Sequence, residues 1–440
     1  MGFQQGLSGL NASSKNLDVV GNNIANANTV GFKQSRAEFA DIYASTFASS
    51  SNVAGIGTRI KDIAQQYGQG NVETTSNPLD VAITGNGFFR MQSAAGSISY
   101  SRNGQFQLDN TGFIVNNGQY LTGWPVSATT GALIKGGTPQ PLQVTVGNIG
   151  ARATGGSGTA NAGLSLTTNL NASSPVISRA ASPAGVGPLS ISDPATYTST
   201  TTATVYDAQG VSHNLSFYFT KVAANQWEVQ TSFDGGTPTP TGAGGTNGYL
   251  MFTGNGALDA TTVPTDPLTG TAASNVSGFT FSTTLTAPNG ATSPFTFAVT
   301  FPKSTQFGSP FDVTALTQDG YADGTITGLS IGSDGVVVGN YSNGQTKNIG
   351  QIVLASFENN QGLQPLGDNR WSSTFASGQP IIGDPNTGNL GSLQSSAVED
   401  SNVDLTNELV NLITAQRNYQ ANAQTIKAQD TILQTIVNLA

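Results

Sequence analysis

The stretch LTNELVNLITAQRNYQANAQTIKAQDTILQTIVNLA, residues 405–440, decides the fold. Within it Leu405, Leu409, Leu412, Gln416, Tyr419, Ala423, Ile426, Asp430, Leu433, Val437 and Ala440 recur at alternating steps of four and three, and only Gln416 and Asp430 interrupt the apolar run. A repeat of about 3.5 residues keeps one narrow helix face toward a partner, which is the seam of a supercoiled helix. An unbroken helix of this span is on the order of 55 Å long, more than a small domain can cover.

The other end of the chain carries the same pattern. Phe3, Leu7, Leu10, Ser14, Leu17, Gly21, Ile24 and Asn28 follow the same alternation, with Val20 widening the stripe. Burying a large apolar side chain contributes roughly 1.5–3 kcal/mol, against an ordering cost of about 1–2 kcal/mol per residue. Alone, either helix gains too little to be secure, so it needs the other terminus or neighbouring copies of the chain. The expected contact residues are therefore Leu7, Leu10, Leu17 and Ile24 at one end, and Leu405, Leu409, Leu412, Tyr419, Ile426, Leu433 and Val437 at the other.

Between these ends the composition is that of β structure joined by tight turns. Charged residues make up 9% of the 440, and glycine alone numbers 54. A formal net charge of −9 repels phosphate backbones, and no basic run with interleaved aromatics argues for nucleic acid as a partner. Cysteine is absent, which excludes disulfides and thiolate chemistry. Residues 1–12 contain no Lys or Arg and lack the apolar block of a secretory signal, and no window is apolar enough to insert in a bilayer. A chain of this kind that works outside the cell leaves without a cleaved signal peptide.

The expected fold class is multi-domain: a terminal α-helical coiled-coil pair plus two mainly-β domains, the second inserted into the first. The expected boundaries are an N-terminal helix over 1–30, a connector over 31–70 that includes the Ser-rich loop 48–52, and a first β domain over 71–125 and 305–398. An inserted β domain covers 126–304 and a C-terminal helix 399–440. Asn103-Gly104 and Asn117-Gly118 both read as type I′ hairpin turns. Ser401-Asn402-Val403-Asp404 reads as a capping box, Ser401 accepting from first-turn amides and Asp404 reaching back. Glu399, Asp400, Asp404 and Glu408 cluster at that helix start, where the macrodipole favours anions.

No catalytic constellation emerges. His213, the only histidine, reads as a surface or hairpin residue, and no G-x-S-x-G, GK[ST] or H-E-x-x-H motif is present. The Asp-Gly turns do not space carboxylates as a calcium loop does. No catalytic, cofactor-binding or metal residue is therefore expected.

Several blocks together carry a specific resemblance. Leu7 to Ala12, then Asn16 to Lys33 with its Gly21-Asn22-Asn23-Ile24-Ala25-Asn26 core, resemble the N-terminal signature of the flagellar rod and hook proteins. Ser401 to Leu405, Glu408 to Asn411 and Ala415 to Gln420 resemble their C-terminal signature. Leu79 to Ile83, Gly85 to Phe89, Tyr100 to Phe106 and Gly339 to Gly344 are similar to their shared β domain. The insertion groups the chain with the longer, hook-forming members rather than the shorter distal rod members.

The resemblance implies an extracellular, non-enzymatic structural subunit of the bacterial flagellum whose paired terminal helices line an inner tube. The tube is a curved, flexible universal joint between motor and filament. Its partners are then many copies of itself, the rod below, hook-filament junction proteins above and a cap during assembly, with no membrane insertion. A secreted β-rich enzyme and a surface adhesin are the alternatives from other classes.

Overall fold

The computed structural model describes residues 2–42, 57–127, 131–144, 147–159, 162–178, 188–285 and 290–439. Among them two long helices lie at the ends, α1 over Gly2–Ala25 and α2 over Leu405–Leu439, and the intervening chain is mostly strand and turn. None of the described helices is long and apolar enough to cross a membrane. Helix α1 contains Gly6, Gly9 and Gly21, each costing about 1 kcal/mol against alanine, so packing rather than propensity holds it. It ends in the turn 26–31. There Gly31 takes a φ of +73°, and a Cβ would stand 2.6 Å from the backbone nitrogen of Asn103, so only glycine fits.

The connector is a hairpin. Strand β1, Ser35–Ile42, pairs antiparallel with β2, Gly57–Gln65, from Ser35 opposite Gln65 to Ile42 opposite Gly57, with a register shift at Glu38/Phe39. The Ser-rich loop 48–52 lies outside the described residues.

The chain divides into two compact units. One comprises Met1–Val146, Thr327–Asn340 and Thr346–Ala440, the other Gly147–Ile326 and Tyr341–Gln345. These limits correct the expected 126 and 304. Past residue 126 the chain folds back, Val126 bridging to Leu133 and the strand Gln140–Pro141 pairing with Gln119–Pro125, so Leu142 and Val144 are buried in the first unit. Past 304, the strands Thr305–Phe307 and Asp312–Gln318 both pair with Leu164–Asn171, so they belong to the second.

In the first unit early and late segments share one sheet. Gln119–Pro125 pairs with Thr346–Ile352, and Ile98–Ser101 with Arg370–Ser372. Beside it Phe88, Tyr100, Phe357, Leu363 and Trp371 form an aromatic-rich core, with the Phe88 and Trp371 rings 5.6 Å apart. The second unit is built from two sheets of seven and five strands. Their apolar faces meet in one core that includes Leu166, Phe217, Phe219, Trp227, Phe297 and Phe301, produced by strict alternation such as Leu164–Asn171 shows.

The two Asn-Gly pairs differ. Asn117 and Gly118, at φ +48° and +72°, close a two-residue hairpin between Ile114–Asn116 and Gln119–Pro125. Asn103-Gly104 is no hairpin turn, because Ile98–Ser101 pairs with Phe88–Gln92 and Gln107–Leu108 with Ile114–Asn116. Gly104 is instead needed for close approach, since a Cβ there would overlap the carbonyl oxygen of Val81.

Candidate assembly site

Helices α1 and α2 meet through small and polar residues. A Cβ on Gly6 would stand 3.0 Å from Ile426 Cγ1, and one on Gly9 would stand 2.7 Å from Asn422 Oδ1. Asn422 Nδ2 donates to Ser13 Oγ at 3.3 Å. The most buried side chains on the two helices are Ala12, Val19, Val20 and Asn23 on α1, and Glu408 and Ala415 on α2. Small residues let two backbones approach closely, and the spacing Gly6, Gly9, Ala12 is the sequence signal for this face that hydrophobic periodicity passes over.

None of the described side chains of the expected contact set is fully buried. Leu7, Leu405, Leu409, Tyr419 and Leu433 of the expected contact set are exposed, at 43%, 47%, 45%, 37% and 54%, and Leu10, Leu17, Ile24, Leu412 and Ile426 are half-buried. The side chain of Val437 lies outside the described residues. Phe3, Val410, Ile413 and Ile432, outside the expected set, are exposed as well.

Beneath the helices a polar clamp ties both chain ends to the β structure of the same unit. Glu399 is fully buried and its carboxylate is shared by two buried cations. Oε1 accepts from Lys33 Nζ at 2.6 Å and from the Gly70 amide at 2.9 Å, while Oε2 accepts from Arg102 Nη1 at 2.9 Å. Each cation also donates to a carbonyl, Lys33 to Gly68 O at 2.7 Å and Arg102 to Gly85 O at 2.8 Å. Burial pulls the Lys33 ammonium below its ordinary pKa, and the nearby Arg102 charge adds to this, while Glu399 works the other way. The Gly31 amide donates to the backbone oxygen of Glu399 at 2.7 Å.

A second tier lies next to it. Asn23 exchanges two hydrogen bonds with the Ser35 backbone, at 2.8 and 2.9 Å. Gln34 donates to Glu408 Oε1 at 2.6 Å and its own amide donates to Asn402 Oδ1 at 2.8 Å. Asn402 in turn donates to Gln66 O at 2.7 Å. Five of the seven side chains bonded here, Asn23, Lys33, Arg102, Asn402 and Glu408, come from the blocks 16–33, 100–106 and 401–411, which converge from three parts of the chain.

The carboxylates before α2 therefore have different tasks from those expected. Asp404 is the cap, its Oδ1 accepting from the amides of Thr406 and Asn407 at 2.9 and 3.2 Å. Ser401 accepts only from the Val403 amide at 3.3 Å, one turn too early to cap a helix that begins at Leu405. Glu399 and Glu408 serve the clamp and its second tier. His213 does sit in a hairpin strand, but its side chain is mostly covered. It stacks on Phe233 and bonds Asp234 through Nδ1 at 2.7 Å.

The sequence matches four family descriptions in order. These are flagellar basal body rod protein over residues 3–33, flagellar hook protein FlgE/F/G D1 domain over 82–151, flagellar basal body protein FlaE D2 domain over 169–321, and flagellar basal body rod FlgEFG protein C-terminal over 394–439. The flagellar hook protein FlgE of Salmonella typhimurium is 43% identical over 443 residues, covering 100% of both chains. That of Escherichia coli is 42% identical over 441 residues, again with 100% of each covered. That of Treponema pallidum is 30% identical over 470 residues, covering 99% of this chain and 98% of its own. Among solved structures, the crystal structure of Helicobacter pylori flagellar hook protein FlgE2 shares the fold at a TM-score of 0.50 and 13% identity, covering 74% of this chain and 100% of that one. Matched end to end by relatives of this kind, the chain belongs to the flagellar hook protein family.

Proposed function

We propose that the chain assembles with copies of itself, head to tail, into the curved, flexible tube that carries torque from the flagellar motor to the filament. The family is one of structural subunits and not of enzymes. The observation that carries the proposal is the set of apolar side chains left exposed on helices whose other faces are already packed. Leu405, Leu409, Val410 and Ile413, within the first turns of α2, are between 45% and 59% exposed. A head-to-tail contact between identical copies generates an open helical polymer. In that polymer α1 and α2 pair as coiled coils that line the tube, with Leu7, Leu10, Leu17, Ile24, Leu405, Leu409, Leu412, Tyr419, Ile426, Leu433 and Val437 at their contacts.

Bending asks each subunit to adjust once per rotation. Gly31 and Gly70, near the two ends of the connector, are both pinned to Glu399. The compliant part is then the strand pair β1 and β2 between them. The rod below, junction proteins above and a cap during growth complete the partners, and the assembled tube lies outside the cell.

The test is deletion of residues 1–30 and 400–440, which spares Lys33, Arg102 and Glu399, followed by electron microscopy of both forms. The intact chain makes tubes and the trimmed one stays a single particle. Tubes from the trimmed form, or an intact chain that stays monomeric at high concentration, would overturn the proposal.

A further inference from the structure

Phe375 is the most exposed of the large apolar side chains described, at 105% of its reference area, and no other ring packs on it. Its loop is nevertheless tightly held. Thr374 Oγ1 donates to Gly362 O at 2.5 Å, and the Thr374 amide donates to Ser377 Oγ at 2.9 Å. Ser377 Oγ donates to Thr374 O at 2.9 Å, and Ser377 is fully buried. Asn359 Nδ2 donates to Ala376 O at 3.1 Å, and the Asn359 amide to Ser377 O at 3.3 Å. An exposed aromatic on a floppy loop needs no explanation; one presented on a braced loop is a preorganised anchor, because little ordering entropy remains to be lost on docking.

Charge points to the occupant. Copies of a chain with net charge −9 repel one another, so contact between copies favours uncharged surface. Residues 371–383, with Phe375 among them, contain no charged side chain. Leu366 and Ile381, on strands either side of the loop, are also exposed, at 51% and 63%. We infer that Phe375 is a docking knob that inserts into an adjoining copy of this same chain, a contact of the β body separate from those of the terminal helices. The inference rests on the polymer proposed above and names one of its contacts.

The experiment uses the purified full-length chain and measures the critical concentration for tube formation by sedimentation. Phe375→Ala removes only exposed atoms, so its melting temperature matches the parent, while its critical concentration rises at least about tenfold, the scale of an interface anchor. Phe375→Leu falls between the two. Photo-crosslinking from benzoylphenylalanine placed at position 375 joins one copy to another in assembled tubes and gives no product in the unassembled chain. If the parent forms tubes and Phe375→Ala forms them at the same concentration, or the crosslink stays within one copy or goes only to a different polypeptide, the knob is refuted and the polymer stands. A parent that never assembles removes both.

Discussion

Replacing Glu399 by glutamine tests the clamp most directly, since the side chain keeps its shape and loses only its charge. The carboxylate serves Lys33 and the Gly70 amide through one oxygen and Arg102 through the other. A carboxamide turns its nitrogen toward one of the two cations, donor against donor, and leaves both without a counter-charge in a site closed to water. Removing one partner of a buried ion pair costs about 3–5 kcal/mol. The carbonyls of Gly68 and Gly85 still hold the cations, so the lower end, about 3 kcal/mol, is the expected floor. That corresponds to an opening equilibrium shifted by about 10²-fold. Hydrogen exchange at the Gly31 amide reads it cleanly, because this amide bonds the backbone oxygen of Glu399, which the substitution leaves unchanged. Lys33→Met is the control. It leaves a one-to-one Glu399 and Arg102 pair, and Gly68 O keeps the Asn402 amide as a donor, so its stability stays within about 1 kcal/mol of the parent. Exchange at Gly31 within a factor of about three of the parent in Glu399→Gln, about 0.65 kcal/mol, would refute the reasoning.

Three further outcomes follow from the described geometry. Gly21 has no atom within 4 Å of where a Cβ would stand and keeps helical backbone, so Gly21→Ala stabilises by about 0.5–1 kcal/mol. Gly9→Leu instead forces bulk against Asn422 and destabilises by about 1–3 kcal/mol, both read as shifts in the urea midpoint. Asp319 is partly buried, which alone would raise its pKa, but the amides of Gly155, Ser157 and Gly163 together outweigh this and hold it below 3.8. A carboxyl with a depressed folded pKa contributes stability above its unfolded value and loses it as pH falls through the folded one. The second unit therefore weakens below about pH 4. Asp319→Asn flattens that acid limb in Trp227 fluorescence, and an unchanged acid limb would show that the carboxylate is not the source.

The helices at both ends were legible because periodicity is a local signal, though at 24 and 35 residues they are shorter than the expected spans 1–30 and 399–440. Which face packs was less legible. Periodicity weighs Leu and Ile, whereas the inner seam is made by Gly6, Gly9, Ala12, Ala415 and Asn422, whose value lies in being small or in bonding across. Glu399 was misread for a related reason. Beside Asp400 and Asp404 it looks like helix-end charge, and nothing nearby reveals Lys33 and Arg102, which lie 366 and 297 residues away. Asn103-Gly104 shows the same limit: the dipeptide is suited to a turn, but the constraint on Gly104 is the Val81 carbonyl opposite it. A second β body was expected from the sequence, while its edges depended on which strands pair across the chain.

The long separation between Lys33 and Glu399 also orders events in time. A ribosome releases the amino-terminal part first, so Lys33 and Arg102 emerge well before the acid that neutralises them, and looping the intervening chain carries its own entropic toll. Until roughly the last forty residues appear, the latch has no bolt. A nascent polypeptide thus stays open at its base until the residue that leads into the helix exposing Leu405 and Leu409 has been made.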